Sequence, residues 1–145
     1  NNRESIFHIK GAKVQLHLAK NPIGFQQKVS LVLKDPDPKD IIIQINDTSQ
    51  DGTDISWLWD VDFQYLGDSN AASITTAGTR KYDMGLRLKY EDIPCSSTTD
   101  MRSAILDLVK NGTKNLYVIV NYSGLYRTNH LLTELEKGTE GGQSR

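Results

Sequence analysis

The sequence predicts an α/β layered fold whose mostly parallel central sheet is flanked by helices and entered through an N-terminal β-hairpin. Two short runs, Ile41-Ile42-Ile43-Gln44-Ile45 and Tyr117-Val118-Ile119-Val120, are nearly continuous in β-branched and aromatic residues, as strands covered on both faces are. Between and around such runs lie segments with helical spacing, so strands alternate with helices, which is the pattern of a parallel sheet. Ahead of them, two strand-like segments meet at Gly11-Ala12, which reads as a hairpin turn.

Residues Ser5 to Lys10 and Lys13 to Lys20 form the hairpin strands; in the second, Val14, Leu16 and Leu18 alternate with Gln15 and His17, so that strand is expected to be half-buried. Asn21-Pro22 starts a helix, since Asn caps well and Pro suits the first helical position. Phe25, Val29, Val32 and Leu33 share one face of it, and Asp35-Pro36-Asp37-Pro38 ends it because the residue before a proline avoids the α region. A strand from Asp40 to Asn46 follows, then a polar loop from Asp47 to Ser56 and a short helix from about Asp60 to Leu66. Ala72 to Ala77 reads as a strand, Tyr82 to Glu91 as a helix, and Pro94-Cys95-Ser96 as a short edge strand. Thr99 to Lys110 is a helix with Met101, Ile105, Leu108 and Val109 on one face, stopped by Gly112. Leu116 to Asn121 is a strand and Ser123 to Lys137 a closing helix, with Leu131 and Leu135 four apart. The reading is one domain over residues 1–137, with a small, polar, disordered tail over 138–145.

Composition excludes several classes. The 145 residues carry 17 Lys+Arg and 18 Asp+Glu, so 17 − 18 leaves a net charge of −1 and no basic excess to drive nucleic-acid binding. One cysteine, Cys95, forbids an internal disulfide, and His8, His17 and His130 lack ligand spacing, so no metal site is expected. A reducing compartment, the cytoplasm, is the expected location. No apolar run approaches the roughly 18 residues that span a membrane. The start at Asn1, without Met, suggests a piece of a longer protein.

In a sheet of this kind ligands gather beyond the carboxyl ends of the strands, which directs attention to Asn46–Ser56, Gly78–Arg80 and Asn121–Ser123. The first of these opens the unusual stretch of the chain. From Asn46 to Phe63 there are five aspartates (Asp47, Asp51, Asp54, Asp60, Asp62), no Lys or Arg, and both tryptophans, Trp57 and Trp59. Asp47, Ser49, Asp51 and Gly52 imitate the opening of a calcium loop, but Leu58 stands where the closing bidentate Glu is needed and a strand precedes the loop. Turn chemistry accounts for Asp51-Gly52, capping for Asp60, and core packing for the tryptophans. So many carboxylates without a counter-charge also suit another role, in which an Asp orients a catalytic imidazole. No nucleophile–base pair is evident in this chain, so such an Asp would serve a nucleophile on another protein.

The segment Asn46-Asp47 followed by Asp51-Gly52-x-Asp54-x-Ser56-Trp57-x-Trp59-Asp60-x-Asp62-Phe63 resembles the signature of the C-terminal domain of the MurT family of Mur ligases. Leu18-Ala19-Lys20-Asn21-Pro22-x-Gly24-Phe25, Gly78-Thr79-Arg80, Leu86-Arg87-Leu88-Lys89 and Asn121-Tyr122-Ser123 are similar to further elements of that domain in the same order, as is the tail Glu140–Ser144. The departures are Thr48-Ser49-Gln50, which lacks a side-chain amide often present at position 48, and Gln64 where the family often has Glu. The resemblance implies a Rossmann-like domain of the Mur ligase C-terminal type that closes over nucleotide and substrate. It implies an enzyme that uses ATP, Mg2+ and glutamine-derived ammonia to amidate the D-glutamate α-carboxyl of lipid II at the inner face of the membrane, with a GatD glutaminase as partner. ATP would be held by a central domain, because this chain has no G-x-x-x-x-G-K-[ST] loop, and the family's zinc would likewise sit in a domain absent here. The domain alone would be inactive and would bind no cofactor tightly.

By position in the motif, Asp54 is the residue expected to orient the partner's His, with Asp60 in reserve. Asn46, Asp47, Asp51, Arg80 and Tyr122 are the implied substrate or nucleotide contacts, and Trp57, Lys20 and Asn21 the implied partner surface. A docking-only module and a domain of a stand-alone Mur-type amino-acid ligase are the alternatives.

Overall fold

The computed structural model describes residues 4–143. Six strands form one sheet in the order β1-β2-β6-β3-β4-β5. Strands β1 (Glu4–Ile9) and β2 (Ala12–Leu18) make the antiparallel hairpin, with Phe7 opposite Val14. Strand β3 (Lys39–Gln44), β4 (Ala71–Ala77), the two-residue edge strand β5 (Ser96–Ser97) and β6 (Asn115–Val120) all run parallel to β2. Helices α1 (Pro22–Lys34), α2 (Lys81–Tyr90), α3 (Met101–Lys110) and α4 (Tyr122–Gln143) make the crossovers and close the chain. This is the flanked, mostly parallel sheet with a leading hairpin that the sequence predicts.

Side-chain alternation explains why both faces are covered. Ile41, Ile43, Ile45, Tyr117 and Ile119 enter one core with Phe25, Val29 and Val32 of α1 and Met84 and Leu88 of α2. The intervening Ile42, Leu116, Val118 and Val120 enter the second core with Ile105 and Val109 of α3 and Leu132 and Leu135 of α4. A period-2 strand filled with apolar residues at every position can only be satisfied by two layers of helix.

Three expectations are corrected. Strand β2 is not half-buried: Gln15 and His17 are 6% and 0% exposed, because α1 lies across their face and brings buried Lys28 with it. Burial, followed by the charge of Lys28, pushes the His17 imidazole down to about 4, so the ring is neutral at physiological pH. The short helix expected from Asp60 to Leu66 is instead two 3₁₀ turns, Ser56–Asp60 and Phe63–Asp68. Leu58 and Val61, then Phe63 and Leu66, are buried pairs three apart, the 3₁₀ period, and the Leu58 and Val61 carbonyls accept from Arg87. The disordered tail expected from Gly138 is helical through Gln143, since extending an existing helix adds one hydrogen bond for each residue fixed; the last two residues of that tail, Ser144 and Arg145, lie outside the described residues.

The amino end of the sheet is closed by internal bonds. Asp40 accepts from the Ser73 and Thr113 hydroxyls (2.6 Å each), and Asp35 accepts from the Tyr117 hydroxyl (2.6 Å) and Asn115 Nδ2 (2.8 Å). Its two clustered carboxylates are thereby committed to holding β3, β4 and β6 in register. Among the described residues no helix is long and apolar enough to cross a membrane.

Candidate functional site at the carboxyl ends of the strands

Strands β3, β4 and β6 end together, and one amide binds the three ends. The Asn46 backbone N–H donates to Asn121 Oδ1 (3.1 Å) while Asn121 Nδ2 donates back to the Asn46 carbonyl (2.7 Å). The Asn46 side chain accepts from the Thr79 N–H (3.0 Å) through Oδ1 and donates to Ser123 Oγ (3.2 Å) through Nδ2. Only a side chain with one acceptor end and one donor end can do both. The clasp also requires Gly78, whose φ is +91° and whose Cβ, if present, would lie 2.3 Å from the Ile45 carbonyl oxygen.

Asp47 extends the clasp. Its carboxylate accepts from the Thr79 hydroxyl (2.8 Å) and from Arg80 Nη1 (3.2 Å). The Thr79 hydroxyl, then the Arg80 charge, hold the Asp47 carboxyl below the usual carboxylate range, so it is ionised. Arg80 is also ion-paired to Asp83 at 2.8 Å. Both members of this pair, which the sequence places as ligand contacts, are therefore engaged with protein groups.

Asp51 returns to the sheet from the loop and caps α4. Its oxygens accept from the Ser123 N–H (2.8 Å), the Ser123 hydroxyl (2.5 Å) and the Thr48 hydroxyl (2.7 Å). A carboxylate over the free N–H groups of a helix start is favourable by hydrogen bonding and by the helix dipole. Tyr122, in the first turn of α4, is 48% exposed.

The second half of the acidic segment is built from behind. Arg87 is 4% exposed, and its guanidinium donates to the Leu58 carbonyl (3.0 Å), the Val61 carbonyl (2.7 Å) and Glu91 (2.5 Å). It also lies 5.2 Å from the Trp59 ring and 5.6 Å from the Phe63 ring. One buried cation thus supplies the donors that the two 3₁₀ turns cannot supply themselves. Asp54 sits at the entrance to this anchored stretch, exposed, with Oδ1 accepting from the Ser56 N–H at 2.9 Å. That backbone bond holds its carboxyl below the usual range, so Asp54 is an anion at neutral pH. Asp60 and Asp62 are exposed too, and no cation pairs with Asp54, Asp60 or Asp62 among the described residues.

The two tryptophans divide. Trp57 packs against Phe25 (5.1 Å between ring centroids) at the edge of the core, whereas Trp59 is 47% exposed. Asn21 caps α1, its side chain accepting from the Gly24 N–H at 2.8 Å, and Lys20 beside it is exposed.

An open cleft of about 850 Å³ lies beyond the strand ends, floored by Gln44, Asn46, Gly78 and Gly124 and walled by α4 and the start of α3. Lys81 and Arg127 line it, and neither is ion-paired among the described residues. Sequence reasoning passes over both. Arg127 is four residues beyond Ser123, and that spacing puts it on the same helix face as the strand-end motif. No group of three His, Cys, Asp or Glu side chains among the described residues could hold a metal ion.

Comparison with known proteins gives a consistent set of relatives. The family described as MurT ligase C-terminal matches residues 18–125. The chain is 27% identical over 133 residues to the lipid II isoglutaminyl synthase (glutamine-hydrolyzing) subunit MurT of Streptococcus pneumoniae (strain ATCC BAA-255 / R6), covering 90% of this chain and 30% of that protein. It is 30% identical over 150 aligned positions to the subunit of the same name from Staphylococcus aureus (strain COL), covering 99% of this chain and 32% of that protein. The chain therefore spans about a third of the length of these relatives. A solved domain from Haemophilus ducreyi 35000HP, described as from a UDP-N-acetylmuramate:L-alanyl-gamma-D-glutamyl-medo-diaminopimelate ligase, aligns over 92% of this chain and 99% of that one. Its TM-score is 0.46 and its identity 15%, too distant to add to the fold described above.

Proposed function

The chain belongs to the MurT ligase C-terminal family, and from that membership we propose that it is the C-terminal domain of a lipid II isoglutaminyl synthase subunit, working beside an ATP-binding domain and a GatD-type glutaminase. The observation that carries the reading is Asp54: an exposed, ionised carboxylate, bonded to Ser56 but with no cation partner among the described residues, at the mouth of a segment anchored from behind by Arg87. Such a group suits the third position of a Cys-His pair on another subunit, holding the imidazole in the needed tautomer and stabilising its charged form. Relatives named for glutamine hydrolysis support the same assignment. Asp60 is the reserve for this role.

At the strand ends the reading gives the chain a second task. ATP and Mg2+, held by the sister domain, would supply the activation of the substrate carboxyl. Lys81 and Arg127, on the cleft wall without an ion pair among the described residues, suit an anionic group of nucleotide or substrate presented when the domains close. Asn46, Asp47, Asp51 and Arg80 would act on such a ligand through the shape they hold, and Tyr122 from the first turn of α4.

The test uses the full-length ligase subunit and its glutaminase. Wild type should stimulate glutamine hydrolysis, and Asp54→Asn should reduce that rate by at least about 100-fold while the complex still forms on gel filtration. Undiminished hydrolysis with both Asp54→Asn and Asp60→Asn would leave the domain a docking module. Amino-acid-dependent ATP hydrolysis with no glutaminase bound would make it part of a stand-alone Mur-type ligase.

A further inference from the structure

Trp59 is half exposed although two neighbours hold its ring. A core tryptophan is buried; this residue is 47% exposed, beside Tyr90 at 71% and six residues before Tyr65 at 46%. The ring is nonetheless held in place. Tyr90 meets it edge-on at 4.8 Å and 85°, and the Arg87 guanidinium lies 5.2 Å from its centroid. An aromatic already fixed in one orientation loses little freedom on docking, and Trp, Tyr and Arg dominate the centres of protein interfaces. Asp60 follows Trp59 in the chain, and Asp54, Asp62 and Asp68 of the same stretch are exposed as it is. None is ion-paired among the described residues, and the buried Arg87 donates to Leu58, Val61 and Glu91 instead.

We propose that Trp59 and Tyr90 are the anchor of the docking surface for the glutaminase subunit, which meets them with an apolar pocket rimmed by Lys or Arg. The proposal rests on the reading above, because an Asp54 that serves the partner's histidine must lie inside the buried contact, and Trp59 is the large exposed ring of the same segment. It adds Trp59 to Trp57, the aromatic expected at the interface, which is partly buried against Phe25. The carboxylate rim steers association, so binding should weaken with salt.

The experiment measures affinity between the full-length ligase subunit and its glutaminase by calorimetry at two salt concentrations, with folding of each variant checked by circular dichroism. Trp59→Ala should weaken binding by at least about 30-fold and Tyr90→Ala by about 5-fold. Asp62→Lys should weaken binding at the lower salt concentration and flatten the salt dependence of the affinity. Should Trp59→Ala fail to fold, Tyr90→Ala and Asp62→Lys, both changes at exposed side chains, decide the matter. A wild-type pair that associates while all folded variants bind within two-fold of it overturns the surface and leaves the amidotransferase reading standing. A wild-type pair that does not associate at all overturns both.

Discussion

The acidic segment has two halves that use the same residue type in opposite ways. From Asn46 to Asp51 three side chains are tied to the fold: Asn46 joins three strand ends, Asp47 is bonded to Thr79 and Arg80, and Asp51 caps α4 across 72 residues of sequence. From Asp54 to Asp62 the carboxylates face solvent, and the support comes from the other side of the chain through one buried arginine. A carboxylate that already has its donors is structure, whereas one held in place but left unpaired on its outer face is available for chemistry or recognition. The contrast separates five aspartates that composition alone makes equivalent.

The sharpest way to break that contrast is to remove the support of the second half. Arg87→Met strands the Leu58 and Val61 carbonyls and the Glu91 carboxylate, and should cost about 3 kcal/mol of unfolding free energy in urea titration. It should also abolish stimulation of the glutaminase, because the segment bearing Asp54 loses its anchor. Arg87→Lys cannot reach both carbonyls and should recover only part of either loss. On the inward half, Gly78→Ala forces a side chain into the left-handed region and against the Ile45 carbonyl, and should cost roughly 2 kcal/mol by the same titration. Asp51→Asn keeps a cap that still accepts from the Ser123 N–H but removes the charge over the α4 start, for a loss of about 1 kcal/mol. Thermal unfolding should show that loss with glutaminase stimulation unchanged. Asp54→Asn should leave the urea midpoint where it is.

Much of the frame was legible because burial leaves a mark on local sequence. Ile41–Ile45 and Leu116–Val120 read as doubly covered strands since both of their faces are apolar, and Asn21-Pro22 and Gly112 mark helix ends by backbone chemistry that acts within a few residues. What was not legible depends on partners far along the chain. His17 looks like the solvent face of a strand until α1 covers it with its own polar residue, Lys28. The 3₁₀ turns look like a helix until Arg87, 29 and 26 residues later, takes the Leu58 and Val61 carbonyls. The site followed the same division. Its location at the strand ends follows from topology, and the residues gathered there by the motif are at those ends. Their individual duties do not follow, because whether an aspartate caps, clasps or faces outward is settled by which donors the fold brings to it. Arg80 showed the cost of reading charge without that context: it meets Asp47 and Asp83, whereas Lys81 and Arg127 in the cleft have no ion pair among the described residues.

The central claim is that Asp54, unlike Asp51, acts outside its own chain. Glutamine hydrolysis by the assembled complex, measured in parallel for Asp54→Asn and Asp51→Asn with complex formation verified for each, tests it directly. The account predicts that Asp54→Asn lowers the hydrolysis rate by at least about 100-fold with stability unchanged, and that Asp51→Asn lowers stability with the rate unchanged. Equal rates for Asp54→Asn and wild type, or a collapse of hydrolysis with Asp51→Asn in a folded complex, would contradict it.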